Sequence, residues 1–219
     1  MQIYFVRHGK TEWNLEGRFQ GGHGDSPLLE QSLTDIKKLG QHLRGVKFAG
    51  VYSSPLKRAI DTANGITISA GIDLPVTIDE RLREFDLGQM EGLNFAQAKQ
   101  RFPKQVDDLW NHPECYDGKA IDGEDYPEVI NRGKSFAHDV AQKFPTATDK
   151  VLAISHGAAL SGMMGGLLGF SLKNVRQNGS LSNTSLTILE TKDQGKNFQT
   201  IVWNETDFLE RKLAETDSL

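Results

Sequence analysis

The chain has 219 residues, of which 37% are hydrophobic and 25% charged, as in one large globular domain. The 25 Lys and Arg residues against 29 Asp and Glu residues give a net charge of −4, and the absence of a basic block argues against a nucleic-acid partner. The single Cys115 cannot form an internal disulfide, and the apolar run Ile3–Val6 is too short for a signal peptide or a membrane span. We therefore expect one domain over residues 1–219, cytoplasmic and without a membrane partner.

Short apolar runs rich in β-branched and aromatic residues predict strands buried in a sheet. They lie at 3–6, 50–52, 76–78 and 151–154, and the alternating segments 185–189 and 200–203 predict a C-terminal hairpin. The charged residues after Phe208 are expected to fray.

Helical patterns separate these runs. Ser32 and Asp35 resemble a capping box that opens a helix ending near Gly45, and a second helix is predicted from Pro55 to about Ser69. Residues 94–145 carry helical periodicity and no strand signal, apart from a polar loop at 112–125, so they predict a helical excursion within the domain. Alternating strands and helices predict an α/β fold with helices on both faces of the sheet.

Ionisable groups stand where the predicted strands end. In α/β sheets ligands bind beyond the carboxyl ends of the strands, so these groups are candidate site residues. They occur in Arg7-His8-Gly9, in Ser53-Ser54-Pro55 with Arg58 one turn later, in the segment 81–84, and in Ser155-His156-Gly157. The set carries excess positive charge, and a phosphate dianion is the ligand that balances it.

The chemistry of these groups indicates phosphoryl transfer. An unprotonated imidazole is a nucleophile, and Arg7 beside His8 disfavours the imidazolium form. Donors from Arg7, Arg58 and His156 would stabilise the charge on the transferring phosphoryl group, so no metal or other cofactor is required. Glu84 is the candidate general acid, with Asp86 as its nearby competitor.

Several motifs in register resemble the histidine phosphatase superfamily, the phosphoglycerate mutase-like proteins. They are FVRHGKTEWN at 5–14, RFQG at 18–21, VYSSPLKRA at 51–59, LREF at 82–85 with Gly88 and Glu91-Gly92, and SHG at 155–157. The resemblance implies a three-layer α/β/α sandwich around a mostly parallel mixed sheet, with the helical excursion over the active site. It implies His8 as the phospho-acceptor, Arg7, Arg58 and His156 as the phosphate pocket, and Glu84 as the proton donor. By the same resemblance Asn14 and Gln20 hydrogen-bond the phosphate, and Asn183 lies at the pocket edge.

The departures from the family pattern narrow the function. Lys10 stands where many members have an acid or Gln, which predicts a more cationic pocket rim and a phosphate-binding role for this residue. Glu84 runs directly into Glu91-Gly92 without the long insertion of the mutase branch, which favours a phosphatase. The role of Glu124, in Gly-Glu-Asp where the family often has Gly-Glu-Ser, stays open, and Trp110 is interpreted as a packing residue.

The leading hypothesis is a metal-independent phosphatase that hydrolyses a small phosphomonoester through phosphohistidine on His8. The alternatives are a phosphoglycerate mutase-type phosphoryl transfer and a phosphate-binding regulatory module without turnover. A complete set of nucleophile and proton donor argues against the module, because a binder has no need of the donor. The physiological ester and the oligomeric state stay open.

Overall fold

The computed structural model describes residues 1–218, and its six strands form one mixed sheet. The strands are β1 (Gln2–Arg7), β2 (Gly50–Ser53), β3 (Val76–Ile78), β4 (Lys150–Ser155), β5 (Leu186–Glu190) and β6 (Gln199–Glu205), in the order β3-β2-β4-β1-β5-β6. Strands β1 to β4 pair in parallel, while β5 and β6 join antiparallel at the β1 edge. The mostly parallel mixed sheet implied by the resemblance is thus confirmed.

Two pairs of helices cover the two faces of this sheet. The helices within residues 1–218 are α1 (Glu12–Leu15), α2 (Glu30–His42), α3 (Lys57–Ala70), α4 (Phe95–Arg101), α5 (Pro103–Asn111), α6 (Tyr126–Lys143) and α7 (Gly157–Leu167). Successive β1 side chains point to opposite faces: Tyr4 and Val6 pack in the apolar cluster of α2 and α3, whereas Ile3 and Phe5 pack in that of α6 and α7. The carboxyl ends of β1 and β4 therefore lie between two layers of helices.

A third apolar cluster joins the helices of residues 95–143 to the segment that carries Glu84. Phe85 is fully buried there with Tyr126, and their ring centroids lie 4.9 Å apart. Leu109 from α5 and Ala159 from α7 belong to the same cluster. This packing fixes the excursion against one end of the sheet. Within residues 1–218, no helix has the length and apolarity needed to cross a bilayer.

The expected cap of α2 is wrong. The helix begins at Glu30, with Leu29 as an N-cap residue that makes no side-chain hydrogen bond. Ser32 lies inside the first turn, and its hydroxyl donates to the carbonyl of Lys10 at 2.6 Å. The hydroxyl therefore holds the turn after His8, which sequence spacing does not reveal.

The expected fraying after Phe208 is also wrong for the residues that the structure describes. Leu209 and Asp217 are buried, and the Arg211 guanidinium bridges the carboxylates of Asp35 and Asp217 with contacts of 2.7 and 3.0 Å. These long-range ion pairs order a segment whose local composition is typical of a loose terminus.

Candidate active site

The sheet register brings the two histidines together. Arg7 at the end of β1 pairs with Ser155 at the end of β4, so His8 and His156 follow side by side, with ring centroids 5.0 Å apart. Strand β2 is the other neighbour of β4, and Arg58 follows it in the first turn of α3. All these residues are almost completely buried. The structure thus collects at one edge the groups that the sequence placed at separate strand ends.

Hydrogen bonds define the tautomer of His8. Its Nδ1 lies 2.7 Å from the Gly9 carbonyl oxygen, which only accepts, so Nδ1 carries the proton. Its Nε2 accepts a hydrogen bond from Arg58 Nε at 3.2 Å, as an unprotonated nitrogen must. Burial, followed by the charges of Arg58 and Arg7, holds the pKa of His8 well below its usual 6.5. Near pH 7 the ring is neutral and Nε2 offers a lone pair.

The two arginines are anchored by backbone carbonyls. Arg7 Nη1 donates to the carbonyls of Leu181 at 2.5 Å and Asp217 at 3.2 Å. Arg58 donates to the carbonyls of Gly24 at 2.8 Å and Gly21 at 3.0 Å, and to Asp25 Oδ1 at 3.1 Å. Burial lowers the pKa of Arg7 to about 10, so its guanidinium stays charged at neutral pH. The backbone carbonyls orient both guanidinium groups, and the Asp25 carboxylate pairs with the charge of Arg58.

His156 is neutral for the same physical reasons as His8. Burial, then the positive charge of Arg58, holds its pKa well below the usual 6.5. Its Nε2 lies 2.7 Å from Ser54 Oγ, whereas its buried Nδ1 has no hydrogen-bond partner within residues 1–218. A buried polar atom without a partner is costly, so this nitrogen is a candidate ligand contact.

Glu84 lies across the same cleft, and the start of α7 holds its carboxylate. Oε1 accepts from the backbone N–H groups of Ala159 at 2.7 Å and Phe85 at 2.9 Å, and Oε2 accepts from Ala158 N–H at 3.3 Å. Its competitor Asp86 does not line this cleft, and its Oδ1 accepts from the N–H of Gly88 at 3.0 Å. The geometry therefore favours Glu84 for the acid role.

Arg132 of α6 positions the backbone around Glu84. Its Nη1 donates to the carbonyls of Arg81 and Arg83, both at 2.7 Å, and its Nη2 donates to the carbonyl of Glu84 at 3.1 Å. Glu124 in turn accepts from Arg132 at 3.0 Å and from the N–H of Asp86 at 3.0 Å. Sequence reasoning missed Arg132, and the only signal was the partial Gly-Glu motif at Glu124.

Of the remaining phosphate-binding candidates, two line the cleft and two do not. Asn14 and Gln20 line the cleft, and Asn183 Nδ2 lies behind it, donating to the carbonyl of His8 at 3.1 Å. Lys10 does not line the cleft, because its amino group lies on Thr216 Oγ1 at 2.5 Å and on Asp217 Oδ1 at 3.4 Å. The expectation that Lys10 forms a cationic rim and binds phosphate is therefore wrong, because its amino group contacts the C-terminal segment instead.

The cleft is a half-enclosed space of about 630 Å³, open to solvent. Its walls also include the apolar residues Phe19, Phe95, Leu109 and Trp110 and a further charged residue, Arg176. Trp110, expected to be a packing residue, is thus part of the wall, and Arg176 is a cation that the sequence pattern did not single out. Arg176 follows α7 and belongs to none of the motifs at the strand ends, which explains why the sequence pattern did not point to it.

One further group could ligate a cation. Ligand atoms of His23, Asp86 and Glu91 lie within 4.8 Å of one another outside the cleft. Both Glu91 oxygens are already committed to backbone N–H groups, at 2.8 Å from Gly22 and 2.8 Å from Gly24. We therefore interpret the cluster as a set of contacts that holds the loop around residues 22–24 in place, and not as a metal centre.

Comparisons with known proteins show the family and the fold of the chain. The family model described as histidine phosphatase superfamily (branch 1) matches residues 3–205. A Salmonella arizonae protein named probable phosphoglycerate mutase GpmB is 33% identical, over 77% of this chain and 75% of the relative. The solved structure of Bacillus stearothermophilus YhfR superposes with a TM-score of 0.87 and 31% identity, covering 95% of this chain and 98% of the other. A mycobacterial glucosyl-3-phosphoglycerate phosphatase superposes with a TM-score of 0.83 and 27% identity, covering 93% and 98%.

Proposed function

The chain belongs to the histidine phosphatase superfamily, and on that premise we propose that it hydrolyses a small phosphomonoester in two steps through a phosphohistidine on His8. The observation that carries the proposal is the neutral His8 ring, whose Nε2 lone pair is turned toward Arg58 in a cleft that Glu84 also lines. Nucleophile, cationic donors and a carboxyl group are the parts that phosphoryl transfer requires.

In the first step the Nε2 lone pair attacks phosphorus, and the bond from phosphorus to the ester oxygen breaks. The phosphoryl group displaces the Arg58–Nε2 hydrogen bond, and Arg58 and Arg7 then donate to the phosphoryl oxygens. The unpartnered Nδ1 of His156 supports a third contact to these oxygens if it carries the ring proton. Glu84 gives its proton to the departing oxygen, which leaves as an alcohol.

In the second step a water molecule replaces the alcohol. The Glu84 carboxylate takes a proton from this water, whose oxygen attacks phosphorus and breaks the bond to Nε2. Inorganic phosphate leaves, and His8 regains its lone pair. The same donors act in both steps because the phosphoryl oxygens stay in the same pocket while phosphorus exchanges its bond to the ester oxygen, Nε2 or water.

Phosphoryl transfer to a second hydroxyl of the substrate is the second candidate, since relatives at about one third identity carry the name probable phosphoglycerate mutase. Hydrolysis is favoured here because Glu84 and Glu91 are separated by six residues only, without room for the long insertion of the mutase branch. Solved relatives named phosphatases, at 27% and 25% identity, support the same choice.

The experiment uses 32P-labelled substrate mixed with enzyme and quenched at early times. Acid-labile, base-stable label on the wild-type protein and none on His8→Asn is expected. His112→Asn is the control, because this exposed histidine lies outside the cleft. Full turnover by His8→Asn would contradict a mechanism through phosphohistidine on His8.

Product analysis separates the two candidates. Release of inorganic phosphate from 3-phosphoglycerate supports the phosphatase, whereas formation of the 2-phospho isomer supports the mutase. The same assay with a chelator tests the expectation that no metal is needed, since unchanged rates are predicted when arginines stabilise the transition state.

A further inference from the structure

Arg176 is a cation in the cleft that the proposed chemistry does not use. It follows α7 in the chain and lies over the ring of Trp110, with Cζ 4.8 Å from the ring centroid. Arg7 and Arg176 line the same cleft. His8 and His156 follow strands and Arg58 lies in the first turn of α3, whereas Arg176 lies against Trp110 of α5.

The hydrogen-bonding capacity of Arg176 is incompletely used. Its Nη1 atom is buried and has no hydrogen-bond partner among residues 1–218. Within that part of the chain no carboxylate lies within 4.0 Å of Arg176, while Arg18 pairs with Glu16 at 2.8 Å and Arg58 with Asp25 at 3.1 Å. Leaving a donor of a charged group buried and unpaired is unfavourable, so the site is complete only with an acceptor supplied from outside the chain.

We infer that Arg176 binds a carboxylate of the substrate, so that the enzyme selects phosphomonoesters that carry an acidic group beside the ester. A guanidinium matches a carboxylate through two parallel hydrogen bonds, and one cation balances one such charge. The apolar side chains of Phe19 and Leu109 in the same wall would cover the carbon skeleton between the two anionic groups. This inference rests on the proposed function, because it assumes that the phosphate occupies the His8 end of the cleft.

A matched pair of substrates isolates the carboxylate. 3-Phosphoglycerate and glycerol 3-phosphate differ by a carboxylate in place of a hydroxymethyl group. Arg176→Met keeps most of the stem on Trp110 and removes the charge. Since charge-assisted hydrogen bonds are lost, kcat/KM for 3-phosphoglycerate should fall by about 10- to 100-fold. The value for glycerol 3-phosphate should stay within about threefold, and Arg176→Lys should recover part of the discrimination.

Arg101→Met is the control, because Arg101 also lies over an aromatic ring, Phe102 at 5.3 Å, but does not line the cleft. It should leave the ratio of the two kcat/KM values unchanged. A loss of global packing would lower both rates together, and so would a contact of Arg176 with the transferring phosphate. An equal effect on both substrates, or none on either, therefore overturns the inference.

Binding gives a readout that does not depend on turnover. Calorimetry of the same two compounds with His8→Ala should show tighter binding of 3-phosphoglycerate, and the added change Arg176→Met should abolish the difference. Equal binding of the two compounds in both backgrounds overturns the inference. Failure of the wild-type protein to release phosphate from either compound counts against the proposed function instead, and leaves the binding comparison to decide on Arg176.

Discussion

Lys10 and Asp217, which lie near opposite ends of the chain, form an ion pair of 3.4 Å next to the turn after His8. The backbone carbonyl of the same Asp217 accepts a hydrogen bond from Arg7 at 3.2 Å. The C-terminal segment is therefore tied to the residues on both sides of His8. This arrangement changes what Lys10 is expected to do.

Replacing Lys10 should loosen the C-terminal segment rather than weaken phosphate binding. In Lys10→Met, KM for a phosphomonoester is expected to stay within about twofold. Proteolysis of residues 209–218 should accelerate by only about two- to fivefold, because one such ion pair contributes a modest free energy. Mass spectrometry of timed digests measures the cleavage. Lys57→Met, which breaks the exposed pair with Asp61, is the control. A tenfold rise in KM would return Lys10 to the phosphate site.

If Glu84 is the proton donor, the effect of replacing it should depend on the leaving group of the ester. Glu84→Gln is expected to lower kcat for an alkyl phosphate by about 100- to 10,000-fold, because an alkoxide leaves poorly without a proton. For 4-nitrophenyl phosphate the loss in the step that forms phosphohistidine should be less than about tenfold, since the phenolate is a good leaving group. Burst kinetics read that step directly.

Arg132→Met should show the same leaving-group pattern in weaker form, because Arg132 holds the backbone around Glu84 and does not line the cleft. Arg44→Met is the matched control, as this exposed arginine makes a single bond to the carbonyl of Ser69. An equal loss on both esters would mean that Arg132 supports the fold and does not position the acid.

Stability should fall in acid because two histidines are buried without charge. The pKa values of His8 and His156 lie well below 6.5 in the folded chain, whereas the unfolded chain takes up protons near 6.5. The unfolded state then binds more protons as the pH drops below about 6.5, and each histidine removes up to about 1.4 kcal/mol of unfolding free energy per pH unit.

Urea titrations at pH 7, 6 and 5 measure this slope. In the double variant His8→Asn, His156→Asn the slope over that range should be reduced, whatever the change in absolute stability. His112→Asn, at an exposed site, should keep the wild-type slope. An unchanged slope in the double variant would contradict the assignment of neutral, buried imidazoles.

Gly157 is expected to be required for phosphate binding. A Cβ at this position would lie 3.0 Å from Arg7 Nε and 3.1 Å from its Cζ, so alanine pushes the guanidinium away from its carbonyl anchors. We expect KM to rise by about tenfold, the cost of weakening one charge-assisted hydrogen bond. Steady-state kinetics with one ester suffices.

Gly162→Ala in the same helix is the control. A Cβ there meets Tyr126 at an ordinary 3.5 Å, so the change should leave KM unaltered and raise the free energy of unfolding by about 0.5–1 kcal/mol, because alanine favours the helix. If the two variants behave alike, the contact with Arg7 is not what matters at Gly157.

The sequence predicted those parts of the site that depend on local pattern. Apolar runs located the strands, and the histidines that end two of them meet because β1 and β4 are parallel neighbours. Gly9 is a position that the sequence pattern does not explain: its Cα faces α2, and a Cβ at this position would lie 3.0 Å from Ile36 Cδ1. Only the packing of α2 on the sheet decides that direction.

Long-range partners account for the remaining differences. Arg132 and Arg176 reach the site from α6 and from the segment after α7, and nothing in their neighbouring residues distinguishes them from solvated arginines. The order of the last residues depends likewise on Arg211 meeting Asp35 across 176 positions. Such pairings exist only once the chain is folded, so spacing and composition carry no trace of them.

The proposed catalytic groups and one part of the cleft wall come from different parts of the chain. His8, Arg58, Glu84 and His156 all precede or follow residues 95–143, whereas Phe95, Leu109 and Trp110 lie within them. Part of the cleft wall can therefore be varied without replacing any residue proposed for the phosphoryl chemistry, while Phe19 and Arg176 contribute to the wall from outside this segment. A library confined to α4 and α5 should redirect this protein to new esters while its phosphoryl chemistry stays intact.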